Sequence, residues 1–419
     1  MTPEPPAPLA LAFDEARTRV LAAVTPRTAV RELLARSCGR ALRADLVAAH
    51  PLPPFDNAAM DGWAVRSADL AGASPAAPVM LPVVAVIPAG RVAPRPLQAG
   101  EAMRLMTGAA MPGGADAVVP FEDAERATLA GAESVRATRP TRAGEHVRPA
   151  GADVAEGTRV LSAGRELTPH DLALAASLGA AELAVGPLPR VAVFTTGDEL
   201  LEPHEPLRPG AIRDGNRPQL EALLAGTPAT LVRSERLPDD AARIEARLRD
   251  VLAVADVVIT VGGVSAGDFD PVQHAWLAIG GMERWRVAMR PGRPQMFGTP
   301  EGRLAFGLPG NPGSAACVFE AFVRPALRRW QGFSALEQPR VPVRAAAAIV
   351  SRAGRTDLVR CALAWRDGAL WATPAGAQVS GHLAPQSRMD ALLVVPAAAE
   401  ALREGDPAEA LVLRLPGPA

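Results

Sequence analysis

The stretch "RVAVFTTGDEL", residues 190–200, decides the reading of the fold. Its first half is a continuous apolar run, as expected of a strand buried on both faces. It ends in a loop carrying Thr195, Thr196, Gly197 and two carboxylates, Asp198 and Glu199. Outward from it the same alternation recurs. "RPQLEALLAG" predicts a helix, "ATLVR" a strand, and "DDAARIEARLRDVLA" a helix starting at Asp239 or Asp240. "ADVVITVGG" predicts a strand, "PVQHAWLAIG" a helix, "RLAFGLPG" a strand and "PGSAACVFEAFVRPALRRW" a helix. Alternating strands and helices with short connections predict a mostly parallel sheet covered on both faces. A three-layer α/β domain is therefore expected over residues 188–334, opening after Gly186-Pro187.

The flanks differ in kind. Residues 13–24 and 27–39 read as two amphipathic helices separated by Thr25-Pro26. From residue 51 to 142 short runs such as "VMLPVVAVI" and "EAMRLM" alternate with Gly/Pro turns and predict a small β-rich domain. "TPHDLALAASLGA" (168–180), with a capping-box start at Thr168 and Asp171, returns the chain to helix. The β-rich domain thus reads as an insertion in an elongated helical N-terminal domain made of residues 1–50 and 143–187. Short strands return over 335–419, in "VPVRAAAAIV", "TDLVRCALAW", "ALWATP", "MDALLVVP" and "EALVLRL", and predict a C-terminal β domain.

Composition narrows the function. A chain of 419 residues exceeds a single core, and 48% apolar content is that of a globular protein. A net charge of −1 argues against non-specific nucleic-acid or membrane-surface binding. No run of about 18 apolar residues is present, so no membrane span is expected. The Pro-rich start, Met1 to Pro8, lacks the basic region of a signal peptide, and a cytoplasmic location is expected. The three cysteines, Cys38, Cys317 and Cys361, are scattered and suggest neither a disulfide framework nor a zinc site. There is no lysine and no tyrosine; all 44 basic residues are arginine. Asparagine survives only at 57, 216 and 311, each in a Gly-, Pro- or Asp-dense stretch: "FDNAAMDGW", "RDGN" and "LPGNPGS".

In an open parallel sheet, ligands sit at the carboxyl ends of the strands. The unusual residues fall there. "GGVSAGDFD" offers Gly262, Gly263, Ser265, Asp268 and Asp270. Gly262-Gly263 allows either close backbone approach to a ligand or a tight turn. In "LPGNPGS", Asn311 reads as an N-cap with Pro312 at the first helical position, either a well-capped helix or an anion-binding start. Arg286, Arg290 and Arg293 supply fixed positive charge for an oxyanion. Asp198, Glu199, Asp268 and Asp270 would repel that anion unless a hard cation intervened, and Mg2+ uses few carboxylates together with phosphates. Metal-assisted chemistry on a phosphate-bearing ligand is one reading; surface ion pairs are the other. "GVSAG" (263–267) also matches a hydrolase nucleophile elbow at Ser265, but Asp268 to Asp270 intervene and Pro271 is better placed as the first helical residue.

In this order the loops resemble the molybdopterin molybdenumtransferase family, which includes the E domain of gephyrin. The likeness rests on "PLPPFDNAAMDGWA", "MRLMTGAAMPGGADAVV", "FTTGDELLEPHEPLRPGAIRDGN", "VITVGGVSAGDFD", "MRPGRP" and "GLPGNPGSAA", spanning residues 51–315. The resemblance implies Mg2+-dependent insertion of molybdate into adenylylated molybdopterin, with release of AMP. It also implies an elongated homodimer and a molybdopterin adenylyltransferase as partner. It places Asp61, Thr107, Glu199, Asp239, Asp270, Arg286 and Arg290 at functional positions, with Glu199, Asp270 and Asp61 as metal ligands. Asp198, Asp214, Asn216, Arg293 and Ser380 match neighbouring cofactor-binding motifs, and Arg355 is a weaker match; Gly262, Gly263, Ser265 and Asn311, read from their loops above, are expected at the cofactor-binding site as well. The family usually shows lysine where this chain has Arg286, Arg290 and Arg293. Two other classes stay open: a non-catalytic cofactor-binding scaffold, and a serine hydrolase using Ser265.

Overall fold

The structure, a computed structural model, describes residues 7–129, 131–264 and 270–415. It divides into two compact units, one taking up Met1–Arg43, Gly164–Thr168 and Leu183–Ala419, the other Ala44–Ala163 and Pro169–Glu182.

The larger unit is built on the strand Arg190–Thr196, buried from Val191 onward. It lies between Thr230–Leu237 and Val257–Val261, with Leu304–Leu308 next, all parallel. Alternate side chains serve opposite layers. Val191 and Val193 join Leu220 and Leu224 of the helix Asn216–Ala225 and the apolar residues of the 312–331 helical stretch. Ala192 and Phe194 join Ile244, Leu248 and Val251 of Ala241–Leu252 and Trp276 of Pro271–Ile279. Each such side chain, fully removed from water, contributes about 1.5–3 kcal/mol. The three-layer expectation is met, with Pro271 as the first helical residue.

Several strands were not foreseen. Met282–Arg290 and Pro294–Gly298 form an antiparallel pair that extends the sheet beyond Leu304–Leu308. On the other edge of Met282–Arg290, Leu9–Ala12 pairs in parallel with Trp285–Ala288. The helix Phe13–Ala22 follows, burying Phe13, Ala16 and Val20 in the α/β core. The second expected helix, 27–39, does not form. Val30–Leu33 is a strand and Leu34–Arg36 one turn of 3-10 helix. Val30 and Leu33 are 40% and 51% exposed, so the apolar stripe that suggested a helix has no surface to pack against. Thr356–Asp357 continues the same edge, pairing with Met289–Arg290. From there Thr356–Arg366, Ala369–Pro374, Arg340–Ala345, Pro407–Val412 and Ala391–Val395 pair in a closed ring of five strands around their own core.

The smaller unit holds a six-stranded sheet that includes Gly62–Val65, Val79–Ile87 and Ala102–Leu105. Trp63, 1% exposed, packs edge-on to Phe121 in its core. The helix Pro169–Ser177 also belongs to this unit.

Candidate functional site

At the carboxyl ends of Arg190–Thr196, Val257–Val261 and Leu304–Leu308 lies a cleft of about 900 Å³. It brings together Glu199, Asn216, Asp239, Gly262, Gly263, Asp270 and Asn311. Gly262 and Gly263 adopt φ of +96° and +67°. A Cβ on Gly262 would stand 2.9 Å from the Thr196 carbonyl, and one on Gly263 would run into Asp270 and Val272. Of the two readings, the tight approach of one loop to another is what the glycines serve. Asp270 caps Pro271–Ile279, accepting from the Val272 N–H at 3.2 Å.

The carboxylates shape the charge of the cleft. Desolvation pushes the Asp270 carboxyl up and the Asp239 charge adds to it, against hydrogen bonds from the Gln273 and Val272 N–H groups. Asp239 is also pushed up, chiefly by local desolvation although its side chain is exposed, then by the charges of Asp198 and Glu199. Its backbone N–H donates to Asp198 Oδ1 at 3.1 Å. Asp198 itself lines a neighbouring pocket of about 380 Å³ with Arg208, Arg236 and Arg243. Among the described residues one arginine, Arg213, lines the main cleft. Among the described residues no three His, Cys, Asp or Glu side chains converge as a preformed metal cage.

Several expectations are corrected. Asp214 does not line the cleft. It is buried and spent on structure, accepting from Thr195 Oγ1 at 2.5 Å and from the N–H groups of Asn216 and Arg217 at 3.0 and 3.1 Å. Asn216 is also buried; its Nδ2 donates to the Gly310 carbonyl at 2.7 Å. Asn311 occupies the N-cap position, but its side chain does not cap. Its Nδ2 donates to Ser380 Oγ at 2.9 Å instead. Nor does this helix start offer free N–H groups. Gly313 donates to the Ser380 carbonyl, and Ser314 and Ala315 donate to that of Asn311. Pro312 has none to offer.

The arginines stand apart from the carboxylates. Arg286 and Arg293 line a separate pocket of about 660 Å³ with Arg352, Arg355 and the segment around Leu9–Ala12. Arg290 lines another of about 340 Å³, where it lies 3.9 Å from Asp357. Within one chain Glu199 and Asp270 line the main cleft and Arg290 a different pocket. Strand alternation is the reason: Trp285, Val287 and Met289 are buried, which turns Arg286 and Arg290 to the other face. The period-two pattern of "WRVAMR" carried that signal. Arg352, three residues before Arg355 in "SRAGR", and the cleft-lining Gly381 and Leu383 were missed.

In the smaller unit Asp61 and Thr107 are found together. Thr107 donates to Asp61 Oδ1 through both its hydroxyl and its N–H, each at 2.7 Å. Those bonds, the hydroxyl's first, hold the Asp61 carboxyl below the usual carboxylate range. Ser265 and Asp268 lie outside the described residues.

Comparison with known proteins covers most of the chain. Residues 11–179 match the family described as MoeA N-terminal region (domain I and II). Residues 192–329 match the probable molybdopterin binding domain, and 342–413 the MoeA C-terminal region (domain IV). Molybdopterin molybdenumtransferase 2 of Mycobacterium tuberculosis is 42% identical over 372 residues, 87% of this chain and 90% of that protein. The molybdopterin molybdenumtransferase of Bacillus subtilis is 32% identical, covering 90% and 88%. The crystal structure of the molybdopterin biosynthesis moeA protein from Pyrococcus horikoshii superposes with a TM-score of 0.80 at 27% identity, covering 96% of this chain and all of that one.

Proposed function

The chain belongs to the molybdopterin molybdenumtransferase family, and on that footing we propose that it inserts molybdate into adenylylated molybdopterin, with Mg2+ required and AMP released. It is a transferase of molybdenum cofactor biosynthesis. The observation that supports the finer reading is the glycine-lined cleft of about 900 Å³ walled by Glu199, Asp239 and Asp270.

The donor set fits Mg2+. Asp239 and Asp270 are raised in part by neighbouring carboxylates, a repulsion that a divalent cation relieves. The absence of a tight cage among the described residues suits an ion that takes one or two carboxylates and completes its shell with water and substrate phosphate. Glu199 and Asp270 would hold the ion, with Asp61 of the partner subunit as the proposed further ligand; when bound it would neutralise charge on the phosphoanhydride that is cleaved. Thr107 keeps Asp61 ionised for that task. Molybdate is gathered by Arg286, Arg293 and Arg352, with Arg355 beside them in the same pocket held by Asp357 at 2.8 Å. Arginine binds the oxyanion but cannot serve as a base, so no step is assigned to proton removal there.

The working form is a homodimer whose cleft is completed by the inserted and C-terminal domains of the partner subunit, with the four-domain boundaries given above. It acts in the cytoplasm and receives its substrate from a molybdopterin adenylyltransferase. Among the described residues no helix is long and apolar enough to cross a membrane.

The test is to incubate the protein with adenylylated molybdopterin, Mg2+ and molybdate, then assay AMP and active cofactor. Glu199→Gln and Asp270→Asn should each lower turnover roughly 100-fold while remaining folded. Tight binding of the pterin without AMP would favour the scaffold. Labelling of Ser265 by a fluorophosphonate would favour the hydrolase.

A further inference from the structure

Behind the cleft wall lies a buried cation that the proposed reaction does not use. Arg360, on the strand Thr356–Arg366, is 1% exposed. Its donors all end on one short segment. Nε donates to Gln378 Oε1 at 3.3 Å and Nη1 to the His382 carbonyl at 3.3 Å. Nη2 reaches the carbonyls of Ala377 and Val379 at 3.4 and 3.0 Å. Gln378 bonds back to the Arg360 backbone, accepting its N–H at 2.9 Å and donating to its carbonyl at 3.1 Å. Among the described residues no carboxylate pairs with this guanidinium; burial holds its pKa below the usual arginine range, with Cys317 acting against that shift and Arg290 adding to it.

The segment so gathered has no regular structure between Pro374 and Ala384. Yet it forms part of the cleft. Gly381 and Leu383 line it, and the Ser380 carbonyl accepts the Gly313 N–H at 2.9 Å. The contact is close enough to exclude a side chain at 313. A Cβ there would stand 2.8 Å from both Arg360 Nη1 and the Ser380 carbonyl.

We propose that Arg360 is a positioning residue, the template on which segment 376–383 folds and through which it presents Gly381 and Leu383 to the ligand in the cleft. This rests on the reading of that cleft as the adenylylated molybdopterin site. A loop without a ladder of its own must place its carbonyls somewhere, and a planar fork of five N–H groups collects several at once. An ammonium, with three donors at a single point, cannot span the same set.

Two variants of the full chain test the assignment, Arg360→Lys and Gln378→Ala. In Arg360→Lys, amide exchange over 376–383 should quicken about tenfold, while the neighbouring strand Ala391–Val395 stays protected. KM for adenylylated molybdopterin should rise about fivefold or more with kcat within about twofold. Gln378→Ala leaves the guanidinium in place and should move both readouts in the same direction by less, which keeps the test open if Arg360→Lys does not fold. Exchange over 376–383 as slow as in the unsubstituted protein in every folded variant overturns the proposal. So does a loosened segment with unchanged KM. If the unsubstituted protein releases no AMP, the reaction assigned to the cleft fails instead, and the exchange comparison alone judges Arg360.

Discussion

Asp214 gives the sharpest separation of a structural from a ligand-binding role. It is 3% exposed and accepts three hydrogen bonds, one from the buried Thr195 hydroxyl and two from the first N–H groups of Asn216–Ala225. Asp214→Ala removes the acceptor of those helix donors, costing about 1 kcal/mol. It also strands the Thr195 hydroxyl, for about 1–3 kcal/mol more. The sum, about 2–4 kcal/mol, is a large share of the ~5–15 kcal/mol that holds a typical domain. Asp214→Asn keeps an oxygen for the two N–H groups and offers its NH2 to the Thr195 oxygen, so it should cost only about 1 kcal/mol. Urea unfolding midpoints at constant m-value measure both, and AMP release is read where each variant is folded. Most turnover should survive in Asp214→Asn. An Asn variant with an unchanged midpoint and no turnover would refute the reasoning and return Asp214 to the ligand.

Thr107→Val should raise the Asp61 pKa towards the ordinary carboxylate range, as read by carbon NMR of the carboxyl. Because that pKa is depressed, its contribution to stability is present above the ordinary value and lost as pH falls through the lowered one; the variant should lose less on acidification. Asp239 and Asp270 act with opposite sign. Held above the usual range, they favour the fold at low pH and cease to do so as pH rises through their raised values. Without divalent cations, Asp239→Asn should flatten that part of the profile of thermal midpoint against pH and bring Asp270 down. Of the three thiols, burial pushes Cys317 and Cys361 up to about 12 and leaves Cys38 exposed. One thiol should react quickly with a disulfide reagent in the native protein, and all three after unfolding.

Apolar runs and turn residues made the α/β unit legible, because a strand buried on both faces and its capped helices leave a continuous local signal. "RVAVFTTG" ends within a residue of the observed strand, and Asp240 caps the helix foreseen there. The 27–39 stretch failed because its stripe of Val30, Leu33 and Leu34 fits a helix only if a surface exists to receive it. Glu199 and Asp270 were legible as cleft residues, since strand ends collect ligands, whereas Asp239 came from the family resemblance alone. Asn311 was not, and the arginines were legible only through the period-two pattern of "WRVAMR". What satisfies Gly313 is a loop more than sixty residues on, and what turns Arg286 aside is a strand pairing that "RPGRP" disguised as a turn.

The pairing of Leu9–Ala12 with Trp285–Ala288 has a bearing on biosynthesis. On the ribosome Leu9 waits for Trp285, roughly 14–55 s at ~5–20 residues per second. Through that interval an apolar four-residue edge has no seat, and a holdase chaperone is the natural occupant. The arginine-lined pocket it walls is then among the last parts of the nascent chain to be finished, so a truncated or stalled product lacks it whatever else has folded.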